Sequence, residues 1–416
     1  MARRSLAVVA LVLFALVSAG SLVAADKVVI NALFMKQAGY SEEDTTAATK
    51  DFEAANPNIQ VQLTFVPYEE LEQKIITSSA AGGYDVVLSD GPFTAKFAKG
   101  GIVKTVPDLA AADKADIFPG ALDACVYNGK LYGMPWLNDC KYLFYNKTML
   151  EKAGFKAPPA TWDELLKMGK VLKDKGLVQY PIAWSWSQAE CLICDYTTIV
   201  ASFGGAMVDN AGKPTLTSAA NKKALQFMVD SIKSGITNPK STEYIEDNVR
   251  DTFDAGNAAF VLNWTYNYAA AKDPSGSKVV NDVVIGTIPG SGSVKSATVN
   301  GGQPLAITAG SKHPYEAWTY ILYLTGKGFQ KKYVQNALPI WKSLYDDPDV
   351  VKSNPDVVKA AKVQYAYIVN RPKVPYYSAF SSMLQVKIQE ALLGKKSVDQ
   401  ALKEAQAEAE ALAAKK

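Results

Sequence analysis

Histidine is nearly absent from this sequence, and no long apolar run occurs after its first 25 residues. The one histidine, His313, lies in "KHPYEA", which reads as a helix start, so the sequence argues against a histidine-based zinc site. No later segment approaches the roughly 18–20 apolar residues that a membrane-spanning helix needs. The formal charge of +3 falls to about +1 without Arg3 and Arg4, which gives no indication of a nucleic acid or an acidic membrane as partner. We expect a neutral solute as partner, with no cofactor and no metal.

Cysteine is also scarce, with four residues at Cys125, Cys140, Cys191 and Cys194. In an oxidising compartment four cysteines can pair in three ways, and we expect one or two structural disulfides, with free thiols as the alternative. The "CLIC" stretch from Cys191 to Cys194 has the spacing of a redox motif. It lacks the strand and helix of a small thioredoxin-like unit, so redox catalysis is not favoured.

The first 25 residues have the pattern of a signal peptide. Arg3 and Arg4 precede the apolar run "LAVVALVLFALVSAG", and "VAA" at Val23–Ala25 offers a small-residue cleavage site. The mature chain would begin near Asp26, in an exported and soluble protein. A lipoprotein would carry cysteine directly after the cleavage site, whereas the first cysteine is Cys125. We therefore expect no lipid anchor and a location in the periplasm.

The remaining length and the order of segments predict an α/β protein of two domains. About 390 residues follow the signal peptide, and single cores stop growing near 250–300 residues. Strand and helix patterns alternate in "KVVINALFM", "SEEDTTAATKDFEAANP", "IQVQLTFVPY", "EELEQKIITSSAAGG" and "YDVVLSD". This order predicts βαβ units and a parallel sheet. In "TWDELLKMGKVLKDKG", Thr161 is the expected N-cap, with Glu164 three residues later.

Polar residues interrupt or end apolar runs at two places. Asp90 ends the strand "YDVVLSD", and ligands of open α/β sheets lie beyond the carboxyl ends of the strands. In "GMPWLNDCKYLFYNK", Trp136, Asn138 and Asp139 stand between two apolar runs. Because side chains alternate along a strand, Trp136 and Asn138 should share one face and Asp139 should lie on the other. A plain core strand does not carry such a group.

A set of stretches in fixed order carries a family resemblance: "FEAANPNIQVQLTFVPYEELEQKI", "GGYDVVLSD…FAKGGIV", "NGKLYGMPWLND…LFYNKTMLEKAGFKAPPATWDEL", "FDAGNAAFVLNWTYNY", "GTIPG", "GGQPLAIT", "EAWTYILYLT" and "SVDQALKEAQ". Together they resemble the carbohydrate-type, maltose-binding-like solute-binding proteins (family 1) of ABC importers. Each stretch is weak alone, but their order and spacing over essentially the whole mature chain are specific. The resemblance implies a two-lobe periplasmic-binding-protein fold of type II, with crossing hinge strands and lobes that close on a ligand.

The resemblance also implies where the chain crosses between the lobes. Crossings are expected near Tyr132–Leu137, near Val283–Pro289 and somewhere after Phe329, so the lobes are discontinuous. The expected division is residues 1–25 as signal peptide, 26–134 plus 286–330 as N-terminal lobe, and 135–285 plus 331–416 as C-terminal lobe. The implied function is capture of a sugar, a mono- or short oligosaccharide, by a monomer that delivers it to a membrane permease without catalysis.

Sugar recognition needs aromatic faces for the ring and carboxylates or amides for its hydroxyls. Asp139 is the leading candidate, because an acidic residue follows the first crossing in the family; capping a loop or pairing with a lysine such as Lys141 is its alternative role. Asp90 is a candidate, although "GPF" after it departs from the acidic–basic pair of maltose-type proteins. The other candidates follow strand ends or lie in loops: Tyr266, Trp264, Trp184, Trp186, Gln303, Gly302, Gln37, Tyr40, Tyr68, Trp136 and Tyr377, with Gln188 and Glu190 as weaker ones.

Other readings stay open from the sequence. Ser381 and Ser382 stand where some oligosaccharide binders carry aromatic residues, which suits a shorter or different sugar, and a polyol is an alternative ligand. A secreted glycosidase would use two carboxylates roughly 5–9.5 Å apart, and Asp90 with Asp139 could be such a pair. The adjacent tyrosines Tyr376–Tyr377 also occur in ferric-ion binders, but no set of anionic oxygens accompanies them.

Overall fold

The structure is a computed structural model that describes residues 27–36, 39–79, 81–335 and 337–415. The proposed signal peptide and the candidate Gln37 lie outside the described residues. Within the described ranges, no helix combines the length and the apolar character that crossing a bilayer requires.

Thirteen strands occur in the described residues. In chain order they are β1 Val28–Met35, β2 Ile59–Val66, β3 Val86–Leu88, β4 Val126–Tyr127, β5 Lys130–Leu131, β6 Met134–Leu137, β7 Tyr142–Asn146, β8 Ile182–Ala183, β9 Phe260–Asn263, β10 Val283–Gly286, β11 Thr298–Val299, β12 Gln303–Ile307 and β13 Ile368–Val369.

Seventeen α-helices, besides short 3₁₀ turns, occur in the same part of the chain. They are α1 Glu42–Ala55, α2 Tyr68–Ser79, α3 Thr94–Lys99, α4 Ala111–Asp116, α5 Pro119–Asp123, α6 Lys147–Ala153, α7 Trp162–Asp174, α8 Glu190–Ser202, α9 Ala219–Lys233, α10 Glu246–Asp254, α11 Tyr266–Lys272, α12 Pro314–Thr325, α13 Lys327–Lys332, α14 Pro348–Ser353, α15 Pro355–Gln364, α16 Tyr377–Leu392 and α17 Val398–Ala414.

The first sheet has five strands in the order β2-β1-β3-β12-β6. Strand β1 pairs in parallel with β2 and β3, as the alternating strand and helix patterns predict. Strands β12 and β6 extend the sheet in antiparallel fashion, a feature that local sequence patterns did not indicate. Because β12 comes more than 200 residues after β3 in the sequence, this sheet is built from distant parts of the chain.

The second sheet has four strands in the order β10-β7-β9-β8. The chain leaves the first sheet at Leu137, the end of β6, and enters the second at Tyr142, the start of β7. It returns between β10 and β12 by way of β11, which pairs in parallel with β13. Together the two sheets and their helices form a mixed α/β protein.

Local signals account for several helix starts. Helix α1 begins at a capping box, in which Ser41 and Asp44 bond each other's backbone N–H groups. Thr161 caps α7 by accepting from the Glu164 N–H at 3.2 Å, as predicted. The helices α8, α10, α14 and α15 were not identified from the sequence. Helix α8 is buried along almost its whole length, so it lacks the polar face that makes an amphipathic helix recognisable.

The cysteines correct one expectation. Cys125, Cys140, Cys191 and Cys194 are all buried, unpaired thiols, so the prediction of one or two disulfides is wrong. The Cys125 thiol donates to the Ala121 carbonyl oxygen at 3.6 Å, and the Cys191 sulfur lies 3.5 Å from the Ser187 hydroxyl. Burial raises the pKa of all four thiols, which keeps them protonated and unreactive.

Candidate functional site

A cavity of about 170 Å³ opens where the two sheets meet. Its lining comes from the carboxyl ends of β1 and β3, the passage after β6, the N-termini of α8 and α10, and the segment after β9. The residues that line it are Met35, Gly39, Tyr68, Glu69, Asp90, Leu137, Asn138, Asp139, Ala189, Glu190, Cys191, Cys194, Ile245, Glu246, Asp247, Trp264, Tyr266, Gly301, Gln303, Ala337 and Arg371. Residues distant in sequence therefore share one small, partly apolar space.

Asp139 lies at this cavity, as the sequence led us to expect. Its Oδ1 accepts from the Cys140 N–H at 2.8 Å, and its Oδ2 accepts from the Thr265 N–H at 3.2 Å and the Thr265 hydroxyl at 2.8 Å. Burial nevertheless raises the pKa of Asp139 to about 7, against the lowering effect of these hydrogen bonds. Lys141 is not its partner, because the Lys141 ammonium lies 2.6 Å from Asp195 Oδ1.

Asp90 is held by a cation that no sequence pattern revealed. The guanidinium of Arg371 donates from Nη2 to Asp90 Oδ1 and from Nη1 to Glu190 Oε1, both at 2.8 Å. Tyr68 donates to the other Asp90 oxygen at 2.7 Å. The Tyr377 hydroxyl donates to Glu190 Oε1, which places Tyr377 beside the cavity-lining carboxylate and not on the lining itself. Arg371 thus joins the carboxylates that end β3 and begin α8.

Trp264 presents an indole whose orientation is fixed from three sides. Its Nε1 donates to Glu246 Oε1 at 3.2 Å, and the Lys141 ammonium lies 5.4 Å from the ring centroid. Gly301 leaves room for the ring, since a Cβ there would lie only 2.5 Å from Trp264 Cζ3. The indole is half-buried and lines the cavity, so it is a preorganised aromatic surface.

A buried ion pair supports this aromatic surface. Lys141 and Asp195 are completely buried, and the Lys141 ammonium also lies 3.5 Å from Glu246 Oε1. Burial alone lowers the pKa of Lys141, but the charges of Asp195 and Glu246 outweigh it, so the net pKa is above its ordinary value. The lysine therefore stays charged beneath Glu246 and Trp264.

Gln303 and Tyr266 also line the cavity. Gln303 begins β12 and pairs in register with Leu137, and its Oε1 has no hydrogen-bond partner among the described residues. Tyr266 begins α11, with its hydroxyl 3.4 Å from Asp247 Oδ1. Gly302 does not line the cavity, although its neighbours Gly301 and Gln303 do.

Besides Tyr377, four of the predicted aromatic residues do not line the cavity. Trp184 and Trp186 are fully buried and stacked on each other with ring centroids 4.8 Å apart, so the expectation that one of them faces the cleft is corrected. The Trp184 indole N–H is satisfied internally by Thr237 at 3.0 Å. Trp136 and Tyr40 pack together in the core at 5.0 Å between ring centroids.

The alternation predicted for the Trp136–Asp139 stretch holds for Trp136 but only in part for Asn138. Trp136 is buried in the core, whereas Leu137, Asn138 and Asp139 all border the cavity. Asn138 is itself buried, and its Nδ2 donates to the Pro339 carbonyl oxygen at 3.1 Å. Gln188 is exposed and absent from the lining, whereas the weaker candidate Glu190 is part of it.

Several lining residues were missed in the sequence. Arg371 follows the two-residue strand β13, and Glu246 and Asp247 open the unpredicted helix α10. Ser381, noted as a replacement for an aromatic residue, donates to Glu190 Oε2 at 2.5 Å. No local motif marks these positions, because their role depends on which distant segments they meet. No group of three or more His, Cys, Asp or Glu residues is placed to hold a metal ion within the described part of the chain.

Comparison with known proteins agrees with this arrangement. The model of the family described as "bacterial extracellular solute-binding protein" matches residues 38–331. A "probable ABC transporter-binding protein" of Deinococcus radiodurans is 34% identical over 293 residues, which cover 67% of this chain and 68% of that protein. A mannitol-binding protein of Pseudomonas aeruginosa is 25% identical over 334 residues, covering 78% and 72% of the two chains.

Solved structures show the same fold. Maltose-bound MalE3 of T. maritima has a TM-score of 0.84 at 29% identity, covering 92% of this chain and 100% of that one. A solute-binding protein of an ABC transporter from Agrobacterium radiobacter K84, in complex with ribitol, has a TM-score of 0.81 at 26% identity, covering 93% and 99%. The architecture is therefore that of two-lobe periplasmic-binding proteins. The chain belongs to the family of bacterial extracellular solute-binding proteins and is a solute-binding protein of the ABC transporter type.

Proposed function

We propose that this protein captures a small sugar in the cavity between its two sheets and delivers it to the membrane permease of an ABC importer. It acts in the periplasm, as a monomer without catalytic activity, after removal of residues 1–25. The two lobes, with the expected boundaries 26–134 plus 286–330 and 135–285 plus 331–416, close on the solute by hinge bending.

The composition of the cavity lining supports this proposal most directly. One wall provides Asp90 and Tyr68 from the first sheet, and the other provides Trp264, Glu246 and further groups from the second. An aromatic face beside carboxylates suits a sugar ring, with its apolar C–H face and its hydroxyls. A ligand that contacts both sides favours the closed form, because only differential contacts shift the equilibrium.

The hydrogen bonds at the two candidate acids support binding over catalysis. Asp90 has both oxygens engaged, one by Arg371 and the Gly91 N–H and the other by Tyr68. Asp139 accepts three hydrogen bonds from Cys140 and Thr265. A glycosidase acid must be free to give its proton to the leaving oxygen, which an arginine-paired carboxylate does not do well.

A polyol is the second candidate, favoured by the size of the cavity. Its volume of about 170 Å³ lies below the roughly 300–1,000 Å³ of sites for drug-sized ligands. A monosaccharide or a five- or six-carbon polyol fits this space better than an oligosaccharide. Two relatives point the same way, since one is a mannitol-binding protein and another was solved with ribitol.

A thermal-shift screen against monosaccharides, disaccharides and polyols tests the proposal. A solute that binds only the folded protein at 100 times its Kd adds about 2.7 kcal/mol of stability and raises Tm. Calorimetry then gives the Kd of each hit, and product analysis after long incubation checks for hydrolysis. Absence of any hit across the panel, or turnover of a hit, would overturn the proposed function.

A further inference from the structure

The cavity has more acidic groups than cations to balance them. Among the described residues that line it, six are carboxylates, whereas Arg371 is the one cationic side chain. These carboxylates are Glu69, Asp90, Asp139, Glu190, Glu246 and Asp247. Arg371 is shared between two of them, and the buried Lys141 behind the wall is shared between Glu246 and Asp195. Arg371 and Lys141 therefore each balance two carboxylates with one positive charge.

Asp139 differs from the other buried carboxylates of the lining. No lysine, arginine or histidine of the described residues lies within 4.0 Å of its oxygens, whereas Asp90, Glu190 and Glu246 each contact a cation. Its three hydrogen bonds come from neutral donors at Cys140 and Thr265. Closure of the lobes would remove water from an isolated carboxylate, which costs free energy unless a counter-charge arrives.

Gln303 provides an independent sign of a missing donor near Asp139. Gln303 borders the cavity and is 92% buried, and its Oε1, which is itself buried, has no hydrogen-bond partner among the described residues. The strand register places it close to Asp139: Gln303 pairs with Leu137, and the Gly301 N–H donates to the Asp139 carbonyl oxygen at 2.9 Å. An ionised carboxylate and an orphaned amide oxygen both require donors, and an ammonium group offers three.

We propose that the solute carries a positively charged amino group, as an amino sugar or an amino polyol, and that Asp139 is its counter-ion. This inference rests on the proposed function and specifies the class of solute within it. The ammonium donates to Asp139 and Gln303, while the rest of the solute lies against the Trp264 indole, whose face also attracts cations. Sugar phosphates and uronic acids are disfavoured, because Arg371 is already shared by two carboxylates.

Calorimetry with matched pairs of solutes tests this inference. The panel pairs D-sorbitol with 1-amino-1-deoxy-D-sorbitol, and D-glucose with its 2-amino and 6-amino derivatives, so that one hydroxyl is replaced by an amine at different positions. At pH 8 Asp139 is ionised, and 1-amino-1-deoxy-D-sorbitol carries more positive charge than the 2-amino derivative of glucose, because C–O bonds close to an amine lower its pKa below the value of about 10.4 for lysine. The sorbitol pair is therefore the main comparison. We expect at least one amino member to bind about tenfold or more tightly than its hydroxyl counterpart, with a preference that weakens at high salt.

Two variants separate the role of Asp139 from general electrostatics. Asp139→Asn should reduce the preference for the amino member to less than about threefold. Asp247→Asn removes another carboxylate of the lining, one already paired with Arg250 at 2.8 Å, and should retain the preference whatever its effect on absolute affinity. The melting temperature of each variant shows whether it folds. The comparison of amino and hydroxyl solutes on the wild-type protein does not depend on either variant.

The outcomes distinguish this inference from the proposed function. If hydroxyl members bind and no amino member is preferred, the inference is overturned and the proposed function stands. If a preference persists undiminished in Asp139→Asn, the assignment of the counter-ion is overturned. If no member of these pairs and no member of the wider sugar and polyol panel binds, the proposed function itself fails.

Discussion

Replacing Arg371 by methionine tests the central ion pair of the cavity. The Arg371 side chain is 3% exposed, and its partners Asp90 and Glu190 are 2% and 15% exposed. Methionine keeps much of the apolar volume but removes the charge that both carboxylates share. Asp90 still accepts hydrogen bonds from the Tyr68 hydroxyl and the Gly91 N–H. Glu190 still accepts hydrogen bonds from the hydroxyls of Tyr377 and Ser381.

The magnitude follows from the loss of a buried counter-ion. Breaking a buried pair by removing one partner costs about 3–5 kcal/mol, because it leaves an uncompensated charge. Arg371→Met should therefore lose about 3–5 kcal/mol of unfolding free energy at pH 8. Burial already raises the pKa of Glu190, and without Arg371 the pKa rises further. Glu190 should then take up a proton in the variant, so the loss should be smaller at pH 5.

Urea denaturation at pH 8 and pH 5 measures these changes, with the m-value as a check on the unfolding reaction. Arg371→Met combined with Glu190→Gln should recover part of the loss, because it removes one of the two stranded charges. The matched control is Lys362→Met, which breaks an exposed pair with Asp346 and should cost less than about 1 kcal/mol. A loss below about 1 kcal/mol for Arg371→Met at pH 8, at unchanged m-value, would refute the reasoning.

Three further changes test other parts of the site. Asp139 has a pKa of about 7 in the folded protein and about 3.9 in the unfolded chain, so between these pH values the folded state binds one more proton. The free energy of unfolding therefore falls as the pH rises from about 4 through 7, by at most about 4 kcal/mol. The unfolding free energy of the wild type minus that of Asp139→Asn, measured by urea denaturation, should fall from pH 5 to pH 8, because only the wild type carries the titrating carboxyl; a difference independent of pH would contradict this. Gly301→Ala should displace the Trp264 indole and weaken solute binding, measured by calorimetry, about tenfold or more. The control Gly328→Ala should leave the affinity unchanged, because its Cβ would meet no atom within 4 Å. Equal affinities of the two variants would show that Trp264 does not contact the solute. Lys141→Met should cost about 3–5 kcal/mol in urea denaturation and shift the tryptophan fluorescence, because it strands buried carboxylates beneath Trp264; unchanged stability would contradict the buried ion pair.

The sequence predicted the local elements of the first lobe well. Strands β1 to β3 and helices α1 and α2 follow sequence patterns that depend on neighbours a few residues away, and α1 also has a capping box at Ser41. It also predicted that Trp136 and Asp139 face different surroundings, and the structure places Trp136 in the core and Asp139, two residues beyond the end of β6, at the cavity. The family followed from the order of such segments, and the family match confirms it.

Local patterns gave no information on pairing between distant segments. Trp184 and Trp264 both follow strand ends and looked equivalent, but only Trp264 lines the cavity, because Trp184 stacks on Trp186 within the second core. Helix α8 was missed for a related reason, since burial on all sides removes the polar stripe that marks a surface helix.

The sequence by itself predicted an α/β protein of this family and a position of Asp139 at the cavity, because both depend on the local pattern and order of segments. Only the tertiary structure decided which charges meet. Arg371 reaches Asp90 across 281 positions of sequence, and Lys141 pairs with Asp195 and not with its near neighbour Asp139. In the part of the chain that the structure describes, no cation pairs with Asp139. Charge interactions depend on distance in space and on burial, and neither quantity is written in the spacing of residues along the chain.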